Sequence, residues 1–340
     1  MRPRTQGSRA LLAAATIAAC GQPPHGLPAK SAPAARDTSA ATTPCSFVDA
    51  MPDFFRFWDA AKLLPEDEQV TRFQAEVASR YPDVFNRAVL GYDDGFTVEN
   101  ALRRYLKRHP PADLERVRET SDRIRRMVPG VVGHFRETFP ELRCDTPIYL
   151  VPSLGAFDGG TRPIGGRNVL LFGVDVITFV HHEPDLSPFI THELFHVFHE
   201  QQVGPFPSTG DTVAWNLWME GLATYVSHAL YPDASLAVVL GGADASFPGR
   251  AEAALPELVK GVSRALDARD DATYASFFLG QGGTAALPSR GGYYVGYLVA
   301  ANAAKTYTLP QLARFDRAAA RAAEDEALAR LARSVRQPAP

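Results

Sequence analysis

Over residues 47–139 apolar side chains recur at helical spacing: Phe54, Phe55, Trp58 and Ala61, then Val117, Ile124, Val128 and Val131. A period near 3.6 predicts amphipathic helices laid on a common core. Breaks are expected at Pro110-Pro111 and Pro129-Gly130. The pattern then changes. Residues 147–152 form a short run bounded by prolines, and 168–179 (NVLLFGVDVITF) are rich in β-branched and aromatic residues, so both predict strands. Between them, GAFDGGTRPIGG reads as an irregular loop. Helical periodicity resumes at Ser187 and predicts helices over 187–203, 212–231, 250–268, 271–279, 292–307 and 309–334. The whole reads as an α+β fold, predominantly helical, with a small β-sheet. It predicts a single domain over 47–336, with an N-terminal helical part (47–146) and a later part (147–336) that carries the chemistry.

Composition narrows the classes. With 46% hydrophobic and 21% charged residues in 340, wholesale disorder is excluded. A net charge of -3 offers no basic field for nucleic acid, so no nucleic-acid partner is expected. No apolar run reaches the roughly 18–20 residues of a membrane span. The N-terminus has its own logic. Arg2, Arg4 and Arg9 precede a short apolar stretch ending at Ala18-Ala19-Cys20, which resembles a bacterial lipoprotein signal. That resemblance implies a signal peptide over 1–19, lipidation of Cys20, and export to the cell envelope with a lipid bilayer as partner. Loss of the three arginines leaves 32 basic against 38 acidic residues, a formal -6. Residues 20–46, rich in Pro, Ala and Ser, are expected to form a disordered tether. Of three cysteines, Cys45 and Cys144 then remain as a disulfide pair in an oxidising compartment.

The chemistry concentrates at His192-Glu193-Leu194-Phe195-His196. Two imidazoles four residues apart on a helix face one way and can reach one metal ion, with the intervening Glu rotated off that stripe. Ser187 is the expected N-cap and Pro188 the first helical residue. Ile190, Leu194, Val197 and Phe198 form the core face, with His192, His196 and His199 opposite. Residues 168–249 contain no Lys or Arg but nine acids and six of the nine histidines, so a divalent cation would supply the missing positive charge. Catalytic zinc takes three protein ligands and leaves one position open. The third ligand candidate is Glu220, on an apolar helix whose polar stripe is Asn216, Glu220, Thr224, Ser227 and His228. Gly221 beside it fits a close approach by another backbone. His199 competes for the third position but is expected behind the ligands, with Thr224 and His228. A third His ten residues after the first is ruled out by Gln202.

HELFH followed by EGLATY resembles the gluzincins, zinc peptidases that ligate through two His and one Glu. It is most similar to a bacterial group of predicted Zn-dependent proteases that includes exported lipoproteins. The segment Pro288-Ser289-Arg290-Gly291-Gly292-Tyr293-Tyr294-Val295-Gly296-Tyr297 resembles that group's Gly-Tyr-x-x-Gly-Tyr pattern. The likeness is carried by 187–230 and extends over 147–300. It implies a zincin-like catalytic domain and one Zn2+ at His192, His196 and Glu220. It further implies Glu193 as general base and a sheet edge at 168–175 lying antiparallel to a peptide substrate. Acyl transfer also needs a donor for the oxyanion; Tyr293 and Tyr297 are the catalytic candidates, with Tyr225 and His228 behind them. The reading is a membrane-tethered zinc metallopeptidase. Its alternative is a non-catalytic structural or binding lipoprotein that keeps the fold.

Overall fold

The computed structural model describes residues 45–91, 95–109, 111–206, 210–241, 244–279 and 288–334. The signal segment, Cys20 and the tether up to residue 44 lie outside the described residues. The described residues are predominantly helical, with one small sheet. Four strands, β1 (Phe47–Asp49), β2 (Ile148–Val151), β3 (Gly159–Ile164) and β4 (Arg167–Gly173), lie in the order β1-β2-β4-β3. The first three of that order run parallel and β3 runs antiparallel to β4. Cys45 and Cys144, joined by a disulfide with Cα atoms 4.8 Å apart, close the β1–β2 end.

Three local expectations are corrected. Residues 47–49 form a strand rather than the start of a helix, because Phe47 and Val48 pair with Ile148 and Tyr149. The Gly-rich stretch is not a loop: Gly159–Ile164 pairs along β4, and Gly165 and Gly166, at φ +59° and +74°, make the two-residue hairpin turn between them. Both central positions of such a turn need the left-handed region, which glycine enters without penalty. The β-like run at 168–179 splits after Gly173 into strand and helix (Val174–Val180). The buried Asp175 carboxylate accepts from the Ser153 N–H (2.6 Å), the Ser153 hydroxyl (2.9 Å) and the Gly155 N–H (2.8 Å), which anchors the turn. Tertiary anchoring here overrides the β-propensity of Val174, Val176 and Ile177.

Pro129 also fails to break its helix, which runs unbroken over Pro111–Thr138. Pro129 and Gly130 face solvent, whereas Ile124, Val128, Val131, Val132 and Phe135 are buried. The lost backbone hydrogen bond is therefore on the wet side, where water can replace it. This long helix packs against the helix Ser187–Val203, which in turn packs on Val213–Leu230. The helix Gly291–Ala303 also lies against Val213–Leu230, and the closing helix Arg317–Ser334 packs on both. Among the described residues one apolar core runs through these elements, from Ala50 to Leu328. Among the described residues, no helix is long and apolar enough to cross a membrane.

Candidate metal centre

The Ser187–Val203 helix carries the HELFH motif. Its first turn is capped by Asp185, whose carboxylate accepts from the Ser187 N–H at 2.9 Å; Leu186, not Ser187, holds the N-cap position. Leu194, Phe195 and Phe198 bury one face, and His192 and His196 emerge on another. Glu220 comes from the neighbouring helix, whose N-cap Thr212 accepts from the Trp215 N–H. Across the two helices the three donors converge. His192 Nε2 and His196 Nε2 are 3.0 Å apart, and Glu220 Oε2 lies 3.3 Å from the first and 3.5 Å from the second. A tetrahedral zinc with bonds near 2.0–2.2 Å has ligand–ligand edges of roughly 3.3–3.5 Å, so the trio fits such an ion. Each of the three side chains keeps 13–14% of its surface exposed, so solvent reaches the group.

Two glycines set this geometry. A Cβ on Gly221 would stand 2.2 Å from the Gly296 carbonyl carbon, so the Glu220 helix and the Gly291–Ala303 helix touch backbone to backbone. A Cβ on Gly159 would stand 2.8–2.9 Å from the Glu193 carboxyl group, so β3 leaves room for that side chain only because it starts with glycine. Glu193 is 8% exposed. Burial pushes its carboxyl up to about 8; His196 opposes the rise, Asp158 and Glu220 add to it, and Arg162 opposes it. Burial would also raise Glu220, yet His196 and His192 hold it well below the usual carboxylate range. Burial lowers His192, whereas His196 rises despite burial because Glu220, Glu193 and Glu200 surround it with negative charge.

The tyrosines divide. The Tyr293 ring lies 6.4 Å from that of His192, and burial, with the Glu220 charge, keeps its hydroxyl pKa well above the ordinary value. Tyr297 has different partners: its hydroxyl is 2.8 Å from His228 Nδ1, and its ring packs on Tyr225. His228 thus sits with Tyr297 rather than behind the ligands. Thr224 Oγ1 donates to the Glu220 backbone carbonyl at 2.7 Å, a helix-internal bond. His199 makes aromatic ring contacts, and the His196 charge reaches it. It is fully buried among Phe195, Phe206 and Trp215, neither ring nitrogen has a hydrogen-bond partner among the described residues, and burial drives its pKa down to about 3. The loop at Phe206 covers the helix on that side, so the open imidazole face is narrower than the sequence suggests.

The sheet edge is also corrected. Residues 168–173 lie in β4, flanked by β2 and β3, so the edge beside the motif helix belongs to β3. Further residues that the sequence did not single out crowd the centre. The buried Arg162 stacks on Phe157, His181 Nε2 is 3.0 Å from Asp158 Oδ2, and the Asp158 charge reaches Glu193. Arg290 stacks on Tyr293, and Tyr274 feels the charge of Glu220. Only the Arg290 segment carried a signal, its Gly-Tyr spacing; Asp158 and Arg162 are hidden in the glycine-rich stretch.

Residues 166–318 match a family described as "Predicted Zn-dependent protease (DUF2268)". The resemblance read from HELFH and EGLATY is to this family. The matched span takes in β4, all three donors and the Tyr293 helix, and leaves out β1, β2 and β3. No curated protein and no solved structure matches the chain.

Proposed function

We propose that this chain is a zinc-dependent peptidase that hydrolyses peptide bonds on the outer side of a bacterial membrane, to which lipidated Cys20 tethers it. The convergence of His192, His196 and Glu220 at zinc-like spacing, with solvent access, carries this reading. When bound there, zinc supplies Lewis-acid polarisation of a substrate carbonyl and acidifies water at the open position. Glu193 accepts the proton of the attacking water and returns it to the leaving amine. Glu193 lies buried against Gly159 at the start of β3, on the same helix as His192 and His196. Tyr293 stays protonated and donates its O–H toward the oxyanion that develops on the carbonyl. An extended peptide would lie along β3, the strand against Glu193. The Cys45–Cys144 disulfide supports an oxidising compartment.

The test is Glu193→Gln in purified mature protein. Zinc should remain at one ion per chain by elemental analysis while cleavage of a peptide library falls by about 10²–10⁴-fold. Undiminished cleavage would remove Glu193 from the chemistry. Absence of stoichiometric zinc in the unmutated protein would remove the metal centre altogether.

A further inference from the structure

Arg290 stands beside the centre, and among the described residues no carboxylate is in ion-pair contact with it. It occupies the N-cap of the Gly291–Ala303 helix at φ +64°, one of two non-glycine residues in the left-handed region among those described. Residues with a Cβ enter that region rarely, and such positions concentrate at functional sites. The guanidinium packs on the Tyr293 ring and close to Gly241. Its Cζ is 4.6 Å from the Tyr293 ring centroid, and on the Gly241 side a Cβ would come within 2.7–3.1 Å of Nη2, Cζ and Nη1. Gly241, at φ +107°, therefore makes room for the guanidinium as well as for its own turn.

With its plane packed, the group can offer hydrogen bonds only at its edge. Among the described residues, buried Nε has no acceptor and no carboxylate pairs with the group. Its positive charge is nonetheless felt at His192, Asp158, Tyr274 and Tyr293. The Asp158 carboxylate is engaged by His181, and Glu220 faces the two imidazoles. What remains is a rigid cationic fork adjoining the metal donors, the arrangement that recognises a planar carboxylate by two parallel hydrogen bonds.

We propose that Arg290 receives a carboxylate of the peptide substrate, so that the centre selects peptides bearing that charge close to the scissile bond. This rests on the peptidase reading above. The carboxylate can be the substrate's C-terminus, which would make the enzyme a carboxypeptidase of single residues or short fragments, or an internal Asp or Glu side chain. The shared chemistry is an anion meeting a pre-set guanidinium.

The experiment uses the full mature chain loaded with zinc. Three matched series of peptides are compared: free-acid termini, amidated termini, and amidated peptides with one internal Glu or its Gln counterpart. Binding is measured calorimetrically on Glu193→Gln protein, and cleavage products of the unmutated protein are identified by mass spectrometry. A carboxylate-bearing series should bind about 10–100-fold more tightly than its neutral match. Arg290→Gln should erase that preference without changing affinity for the neutral peptides, and Arg290→Lys should restore part of it. Gly241→Ala, which pushes the guanidinium aside while keeping its charge, should weaken the preference too and serves if Arg290→Gln fails to fold. Preference for free acids alone assigns the terminus; preference for internal Glu alone assigns the side chain. Equal binding of charged and neutral peptides by the parent, or a preference that survives Arg290→Gln, overturns the proposal and leaves Arg290 as a counter-charge to the surrounding acids. A preference that Arg290 controls, with no peptide cleaved, would preserve this inference and end the peptidase reading.

Discussion

Gly221→Ala reverses an ordinary expectation. In the middle of an exposed helix, Ala in place of Gly adds about 1 kcal/mol of stability. Here the new Cβ would meet Gly296 at 2.2 Å from its carbonyl carbon and 2.4 Å from its Cα and O. These are backbone atoms of a second helix, which no rotamer change can move. Relief requires the two helices to part by about 1 Å, opening packing that is otherwise close to crystal density. Overpacking of this kind costs about 1–3 kcal/mol or more, and an overlap with main chain belongs at the upper end. The net expectation is a loss of about 2 kcal/mol despite the helix-forming gain. Glu220 adjoins the altered residue, so zinc affinity should fall with stability. Gly133→Ala is the internal control: it is helical, exposed and has nothing within 4 Å of its would-be Cβ, so it should gain about 0.5–1 kcal/mol. Urea unfolding of both variants, with zinc affinity by chelator competition, gives the comparison. If Gly221→Ala is as stable as the parent, or gains like Gly133→Ala, the backbone contact does not exist as described.

Glu220→Gln should weaken zinc binding by at least about 10²-fold in a chelator competition, since it removes the charged third donor; unchanged affinity would exclude Glu220 as a ligand. Glu324, in the closing helix, is 1% exposed with neither carboxyl oxygen hydrogen-bonded among the described residues, and burial pushes it up to about 9. A folded-state pKa above the unfolded value gives stability that is full below about pH 4.5 and is lost as pH rises toward 9. Glu324→Gln should therefore outstabilise the parent at pH 8 by roughly 3–5 kcal/mol and converge with it near pH 4.5, and parallel unfolding midpoints across that range would refute the neutral buried acid. Cys45→Ser opens a covalent loop of 99 positions and should cost about 2–5 kcal/mol in denaturant titration without reductant; a loss under about 1 kcal/mol would show that the bridge adds little.

The donors were legible because helical spacing alone forces His192 and His196 to one side, and because Glu220 was the single acid on an otherwise apolar helix. Gly221 was legible for the same reason, as an unfavourable helix residue that needed a spatial cause. The sheet was harder. The pair Gly165-Gly166 between two short runs is a hairpin signal, but Pro163 and the glycines of 155–160 hid the strand around it. Asp175 could not be foreseen as the pivot that turns β4 into a helix, since its three donors come from residues 153 and 155, twenty positions away. His199 shared the helical stripe of its neighbours but not their surroundings, which Phe206 and Trp215 supply from outside the motif. Periodicity ranks the faces of one helix; it is silent on what another segment lays over them.

The disulfide has a mechanical consequence. Cys45, the first of the described residues, is bonded to Cys144, just ahead of β2. Tension arriving along the preceding chain passes through sulfur to the interior of the sheet, bypassing the three-residue strand β1 that it would otherwise peel from the edge. A chain held at its N-terminus and tugged by a large substrate would bear that load at β2, whose neighbour β4 leads toward the motif helix, and only reduction would let the edge unzip.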